Sequence, residues 1–96
     1  MMSLKIDHVV FQAHKSEGLK KDIIYILSVR KEGIINENDP ATLGVIFKST
    51  DNGKYVFHPF DNFNLYLDTL RNIYLFLRML EEGEVVLENS ELHCKG

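Results

Sequence analysis

One stretch of the chain, STDNGKYVFHPFDN at positions 49–62, carries the side-chain types most suited to chemistry. A catalytic histidine needs a nucleophile to activate or a carboxylate that orients its ring. The candidates here are His58 and Asp61, which are neighbours only in sequence. We therefore interpret the stretch as the place where a hairpin ends and a helix begins, and we predict no catalytic residue.

Metal ligation is the second chemistry that the residue types permit. The possible ligands are four histidines and one cysteine, namely His8, His14, His58, His93 and Cys94. They show none of the CxxC, HxxxH or HExxH spacings that place ligands together. The chain also lacks a glycine-rich phosphate loop, so we expect neither a metal site nor a cofactor.

The hairpin is the strongest local prediction. The runs LGVIFKST and KYVFHPF alternate in polarity on either side of Asp51-Asn52-Gly53, and an Asn-Gly pair supplies the positive φ angles of a tight turn. Pro59 cannot donate to a ladder, so the second strand should end there. Asp61 or Asn62 can then cap a helix by accepting hydrogen bonds from its free N–H groups. Phe57 and Phe60 are predicted to fit the core at that corner.

The remaining segments complete an α+β prediction. Residues 4–13 alternate and contain Val, Ile and Phe, which predicts a strand. Residues 16–32 are open to two interpretations. The β-branched run 22–33 favours a strand, which we predict, and the alternative is a helix that Ser16 could cap. We expect a single domain over 1–96 with an antiparallel sheet of about four strands in hairpin order. Residues 84–92 are predicted as an extended edge piece, with fraying from about residue 90.

One long helix, about 61–82, is predicted to pack across that sheet. Its predicted core face holds Phe63, Tyr66, Leu67, Leu70, Ile73, Tyr74, Leu77 and Leu80. An adjoining stripe holds Leu65, Phe76 and Met79, so the apolar arc spans about 240°, whereas one sheet covers little more than about 100°. The first strands, a foreign protein or a second copy of the chain can cover the remainder. We expect a homodimer through this helix.

Composition sets the broad class. The chain has 96 residues, 45% of them hydrophobic and 26% charged, which is typical of one folded domain. No apolar run reaches the roughly 18 residues of a membrane span, and the N-terminus lacks the apolar core of a signal peptide. The single Cys94 cannot form an internal disulfide. These features predict a cytoplasmic protein without membrane contact.

Charge is distributed unevenly along the chain. Residues 1–50 carry a net charge of +1 and residues 51–96 a net charge of −4. Direct nucleic-acid binding is not expected, because it depends on clustered Lys and Arg. The cluster of Lys15, Lys20 and Lys21 is interpreted as a solvated turn. Glu81, Glu82 and Glu84 begin an acidic end that can meet a basic surface.

Two functions follow from these patterns. The first is a small acidic binding protein, of the inhibitor, immunity or mobile-element accessory type, that is not an enzyme and covers a partner's surface. Its predicted interaction residues are Leu65, Phe76, Met79, Glu81, Glu82 and Glu84. The second is a small-molecule binder or enzyme with a pocket between sheet and helix. Its polar groups would come from Tyr25, Tyr55, Tyr66 or His58.

Overall fold

The fold is a five-stranded antiparallel sheet with one helix and a small hairpin on one of its faces. We describe it from a computed structural model, which defines residues 2–16, 18, 21–31, 34–35, 38–60 and 65–95. The elements are β1 (Ser3–Ile6), β2 (Val9–Ser16), β3 (Lys21–Ser28), β4 (Arg30–Lys31), β5 (Ile34–Ile35), β6 (Ala41–Lys48), β7 (Tyr55–Pro59), α1 (Leu67–Glu81), β8 (Val85–Glu88) and β9 (Glu91–Cys94). The sheet has the order β1-β2-β3-β6-β7, and two further strand pairs, β4-β5 and β8-β9, stand apart from it. The predicted α+β class and hairpin order are confirmed.

The ambiguous segment is a strand. β3 pairs with β2 along its whole length, from Val9 opposite Ser28 to Ser16 opposite Lys21, and with β6 on its other side. Its run of isoleucines suits a central strand, because β-branched side chains pack well on a pleated surface. The helical alternative is therefore wrong for residues 21–28.

The β6–β7 hairpin forms where the Asn-Gly pair predicted it. The Ser49 N–H donates to the Lys54 carbonyl at 2.7 Å, and the Gly53 N–H donates to the Ser49 carbonyl at 3.0 Å. Gly53 has φ of 72°, a conformation that glycine adopts without steric cost. The loop is thus wider than a two-residue turn, and Gly53 alone supplies the positive φ.

The chain leaves the sheet at Pro59, as predicted, but the corner differs in detail. Phe57 packs against the core, whereas Phe60 is 37% exposed, so its predicted place in the core is wrong. The helix begins at Leu67 and has Tyr66, in an extended conformation, as its N-cap. The predicted caps Asp61 and Asn62 lie outside the described residues, and the predicted helix start at residue 61 is too early.

The core lies between the sheet and the layer formed by α1 and the β8–β9 hairpin. Phe76 of the helix is fully buried and stacks on Phe11 of β2, with ring centroids 3.9 Å apart and planes 8° from parallel. The remaining buried residues of this cluster are Val9, Ala13, Ile24, Ile26, Leu43, Ile46, Ile73, Leu80, Val85 and Leu92. Within the described part of the chain, no helix has the length and apolar character that crossing a membrane requires.

The C-terminal segment forms its own hairpin and is neither an edge strand of the main sheet nor frayed at residues 91–94. β8 pairs with β9 around Asn89 and Ser90, whose φ angles are 54° and 62°. Two consecutive positive φ angles are those of a type I′ turn. Val85 and Leu92 are buried against the main core, which holds the hairpin in place.

Candidate functional site

Helix α1 presents to the sheet a face that matches the predicted one only in part: Ile73 and Leu80 are buried as predicted, and Leu77 packs against the core. Its buried residues are Thr69, Asn72, Ile73, Phe76 and Leu80. Of the three apolar residues predicted to form an interaction stripe, Phe76 is fully buried and Leu65 and Met79 are half-buried against the core. Phe76 therefore serves the core of its own chain and is not exposed for a contact with a second copy, and a homodimer through another part of the helix stays a prediction.

The solvent face of the helix carries four of the residues predicted for the core, Tyr66, Leu67, Leu70 and Tyr74, together with Leu75, which was not predicted for the core. Leu67 is 84% exposed, Tyr66 and Tyr74 are each 57% exposed, and Leu70 and Leu75 are 41% and 44% exposed. We call these five residues the α1 stripe. Large apolar side chains this exposed on one face are informative, because soluble monomers rarely leave such patches uncovered.

Three arginines lie at the α1 stripe. Arg30 places its guanidinium 5.0 Å from the centre of the Tyr66 ring. Arg71 and Arg78 lie on the same side of the helix as Leu67. Arg78 donates a hydrogen bond to Glu82 at 2.6 Å, one helical turn away. Arg71 is exposed and forms no ion pair with any described residue. Tyrosine and arginine are enriched among the residues that dominate protein–protein binding. The α1 stripe thus has the composition of an interaction surface.

Next to the stripe, the helix ends in exposed carboxylates. Glu81, Glu82 and Glu84 lie on the surface, as predicted, and Glu88 and Glu91 of the β8–β9 hairpin are exposed as well. We call these five glutamates the acidic end. Three of the six predicted interaction residues are therefore available to a partner, and the other three pack in or against the core.

A polar cluster at the first turn of α1 explains the rotation of the helix. His8 is only 4% exposed, and its Nε2 lies 2.8 Å from Thr69 Oγ1. Its Nδ1 lies 3.2 Å from a carboxylate oxygen of Asp7. Because Thr69 is the partner of His8, the Thr69 side of the helix must face the sheet. The sequence gives no local sign of this contact, since the two residues are 61 positions apart.

The order carboxylate, imidazole, hydroxyl in this cluster is also that of a nucleophilic triad. Thr69 is only 3% exposed, so its hydroxyl is closed to a substrate. A nucleophile must reach the reacting atom within hydrogen-bonding range, and this one cannot. The geometry therefore supports a role in holding α1 against the β1–β2 turn.

An ion pair reinforces the same attachment. Arg30 Nη1 and Nη2 donate to the two carboxylate oxygens of Asp68 at 2.8 and 2.6 Å. Asp7, His8 and Asp68 place their potential ligand atoms within 4.8 Å of one another, the arrangement of a metal site. A cation there would have to displace the guanidinium, because both Asp68 oxygens are already engaged. The expectation of no metal stays a prediction.

This ion pair predicts an acid-sensitive stability. The two hydrogen bonds from Arg30 hold the pKa of Asp68 at about 2, below its usual value of 3.8. A carboxylate with a lowered folded-state pKa stabilises the fold fully above its unfolded pKa, and this contribution is lost as the pH falls towards 2. We expect urea unfolding to show a falling midpoint between pH 4 and pH 2.

The matched variant for this prediction is Asp68→Asn, which keeps the shape and removes the titration. Its midpoint should be lower than that of the wild type at pH 5, and the two should converge as the pH approaches 2. Parallel curves for the two proteins over this range would show that Arg30 does not perturb Asp68.

A groove lies where the sequence predicted a pocket, between the end of the sheet and the end of the helix. It has a volume of about 470 Å³ and is lined by Lys48, Gly53, Lys54, Tyr55, Leu80, Glu81, Val85 and Val86. Tyr55 is the only member of the predicted polar set in this lining. Tyr66 caps the other end of the helix, and Tyr25 and His58 are on the opposite face of the sheet. The predicted set is thus not brought together.

The predicted basic cluster lies beside this groove. Lys15 and Lys21 line a neighbouring depression with Asp22, whose carboxylate accepts a hydrogen bond from the Ser90 hydroxyl. Lys20 lies outside the described residues. Lys21 places its ammonium 4.5 Å from the centre of the Phe47 ring.

The chain forms a small α+β protein in which α1 and the β8–β9 hairpin cover one face of the sheet. The exposed face of α1 carries large apolar side chains. Comparison of the chain with protein-family models, with curated proteins and with solved structures finds no match. The surfaces of the chain itself are therefore the basis for a proposal on its function.

Proposed function

We propose that the protein is a small interaction protein without enzymatic activity that binds a foreign protein through the α1 stripe and the acidic end. The observation that carries the proposal is the α1 stripe, in which five large apolar side chains are between 41% and 84% exposed. These side chains do not pack in the core, because residues on the opposite face of the helix fill it.

The size of the stripe determines what else the partner must supply. Fully burying one large apolar side chain is worth about 1.5–3 kcal/mol, so covering these partly exposed five is worth on the order of 5 kcal/mol. Association costs about 4–15 kcal/mol in lost freedom of motion. The stripe alone is therefore insufficient, and the polar rim must contribute.

The acidic end supplies that rim and indicates the partner's chemistry. Its five exposed glutamates attract a basic surface, and complementary charge speeds and orients association. A second copy of the chain offers the same acidic end and hence no complementary charge. The occupant that fits is a protein with an apolar groove that carries Lys or Arg on the side that meets the acidic end.

The groove beside Tyr55 offers less support for catalysis. Its ionisable side chains are Lys48, Lys54, Tyr55 and Glu81, and no hydrogen bond joins any two of them. Burial alone raises the pKa of Tyr55. An acid–base pair would require two such groups within hydrogen-bonding range. Lys48 and Tyr55 meet only through the ring, with the ammonium 5.8 Å from its centre, which favours the interaction role.

Site-specific photo-crosslinking tests the proposal in cells of the source organism. A photoreactive phenylalanine analogue at position 74 should give a discrete adduct with one basic protein, and the same group at the exposed turn position 52 should not. Reversing Glu81 and Glu84 to lysine should lower the yield at position 74 by about five- to tenfold, because rim charges act mainly on the association rate. Equal adducts from both positions, or an adduct of twice the chain's own mass, would refute the proposal.

A further inference from the structure

The exposed face of α1 repeats with the spacing of a coiled coil. Leu67, Leu70, Tyr74 and Leu77 follow one another at intervals of three, four and three residues, and Glu81 continues the series after four more. Alternating intervals of three and four place side chains in one row along a helix, at the a and d positions of a heptad. We call Leu67, Leu70, Tyr74 and Leu77 the seam.

The seam is available to a partner. Its first three residues belong to the exposed α1 stripe, and Leu77 is half-buried at the edge of the core. The core is filled from another side of the helix, chiefly by Ile73, Phe76 and Leu80. α1 therefore has two apolar rows, and the described part of the chain covers only one of them fully.

Arginines line the solvent-exposed flank of the seam. Arg71 and Arg78 are seven residues apart and occupy the e positions of its two heptads. Arg78 is engaged with Glu82, and Arg71 forms no ion pair with any described residue. Arg30, beside the first turn, is bound to Asp68, so its charge is already matched. The flank therefore carries one unmatched positive charge, at Arg71.

At its C-terminal end the seam meets the acidic end. Glu81 occupies the a position that follows Leu77, and Glu84 lies just beyond the last turn of the helix. Both glutamates are exposed. A helix laid along the seam thus passes from apolar side chains to carboxylates within one turn.

These charges disfavour a second copy of the chain at the seam. In an antiparallel pair of helices the e positions of the two chains come together, so Arg71 would meet its own counterpart. In a parallel pair equal a positions come together, so Glu81 would meet its counterpart. Like charges placed against each other oppose association. The seam therefore suits a helix of a different protein.

We propose that the seam packs against one amphipathic helix of the foreign partner, and that this helix has an apolar a and d row that ends in Lys or Arg opposite Glu81. The inference rests on the proposed function and adds to it the structure of the partner's surface. Helices pack by inserting the side chains of one into the spaces between the side chains of the other. The apolar groove required of the partner is then the space between the side-chain rows of its helix.

The length of the seam limits its strength. α1 has 15 residues, which at about 1.5 Å per residue gives a length of about 22 Å and two heptads. Sequence patterns of coiled coils extend over about three to four heptads or more. We therefore expect an isolated helix to bind weakly and to depend on the charge that it presents to the acidic end.

A synthetic helix tests the inference without the natural partner. The probe is a labelled peptide with Leu at the a and d positions of two heptads, a Lys-containing turn at both ends, and Ala and Gln elsewhere to keep it helical. Lys at both ends makes the result independent of the direction in which it lies. A control probe carries Glu in place of Lys. Titration of purified protein into trace probe, followed by fluorescence anisotropy, should show binding about fivefold tighter for the Lys probe.

Leu70→Glu is the test variant, because it places a charge in the middle of the seam. It should weaken binding of the Lys probe by about tenfold or more, since an unpaired charge is costly to bury. Leu75→Glu is the matched control: Leu75 is 44% exposed, close to the 41% of Leu70, but lies outside the seam, so binding should stay within about twofold. If Leu70→Glu alters the circular dichroism, Leu67→Glu replaces it, because Leu67 is 84% exposed.

Equal affinity of the two probes, equal losses from the changes at Leu70 and Leu75, or no binding of either probe would overturn the inference. So would a wild-type dimer, seen by light scattering, that Leu70→Glu dissociates, because a second copy would then occupy the seam. The proposed function fails separately, when position 74 gives no adduct with a foreign protein in cells. An adduct there without probe binding would refute the helical partner and leave the proposed function standing.

Discussion

Replacing Phe76 with alanine is expected to lower the free energy of unfolding by about 3–5 kcal/mol. Phe76 is fully buried and stacks on Phe11 at 3.9 Å, so truncation removes both an aromatic contact and the filling of the core. The total free energy of unfolding of a small domain is about 5–15 kcal/mol. Urea denaturation followed by circular dichroism measures the change. Phe76→Glu, which would bury a charge, should unfold the protein and not merely release a dimer.

Leu67→Ala is the control, on the same helix and also apolar. Leu67 is 84% exposed, so its truncation should change stability by no more than about 0.5 kcal/mol. If the two substitutions had equal effects, the assignment of the buried and exposed faces of α1 would be wrong.

Gly44→Ala is expected to destabilise the protein by about 1–3 kcal/mol, the range of overpacked cores. A β-carbon at position 44 would lie 2.5 Å from the His58 carbonyl oxygen and 2.9 Å from the Pro59 α-carbon. Both are backbone atoms of β7, so neither can rotate away. The β6–β7 pairing must open to admit the methyl group, which thermal denaturation and amide hydrogen exchange of this hairpin will detect.

Gly18→Ala provides the matched control. No atom of the residues that the structure describes lies within 4 Å of a β-carbon at that position, so alanine should be neutral or slightly stabilising by restricting the unfolded chain. A stability loss at Gly18 as large as that at Gly44 would mean that steric contact with β7 is not the cause.

The sequence alone determined the features that depend on neighbouring residues. The β6–β7 hairpin follows from alternating runs around Asn52-Gly53, since only Gly53 adopts the required positive φ without strain. The end of β7 follows from Pro59, which has no N–H to donate. The existence of a helix near residues 67–81 follows from its apolar periodicity. Each is a local consequence of backbone chemistry.

The sequence underdetermined the C-terminal hairpin for a different reason. The segment 85–94 is short and partly polar, so its sequence fits an edge strand and a frayed terminus equally well. Its order comes from Val85 and Leu92, which are buried against a core built from distant strands. The free energy gained by burying these two side chains depends on those strands and cannot be predicted from the segment alone.

The tertiary structure also decided which face of α1 is available to partners. An apolar arc of about 240° fits a sheet in more than one rotation, so periodicity could not choose between Phe76 and Tyr74 for the core. The contact between His8 and Thr69 and the ion pair between Arg30 and Asp68 make that choice. These contacts join residues 61 and 38 positions apart. A helix in isolation has no energetic reason to prefer one rotation, and the preference arises only when the sheet supplies partners for its polar first turn.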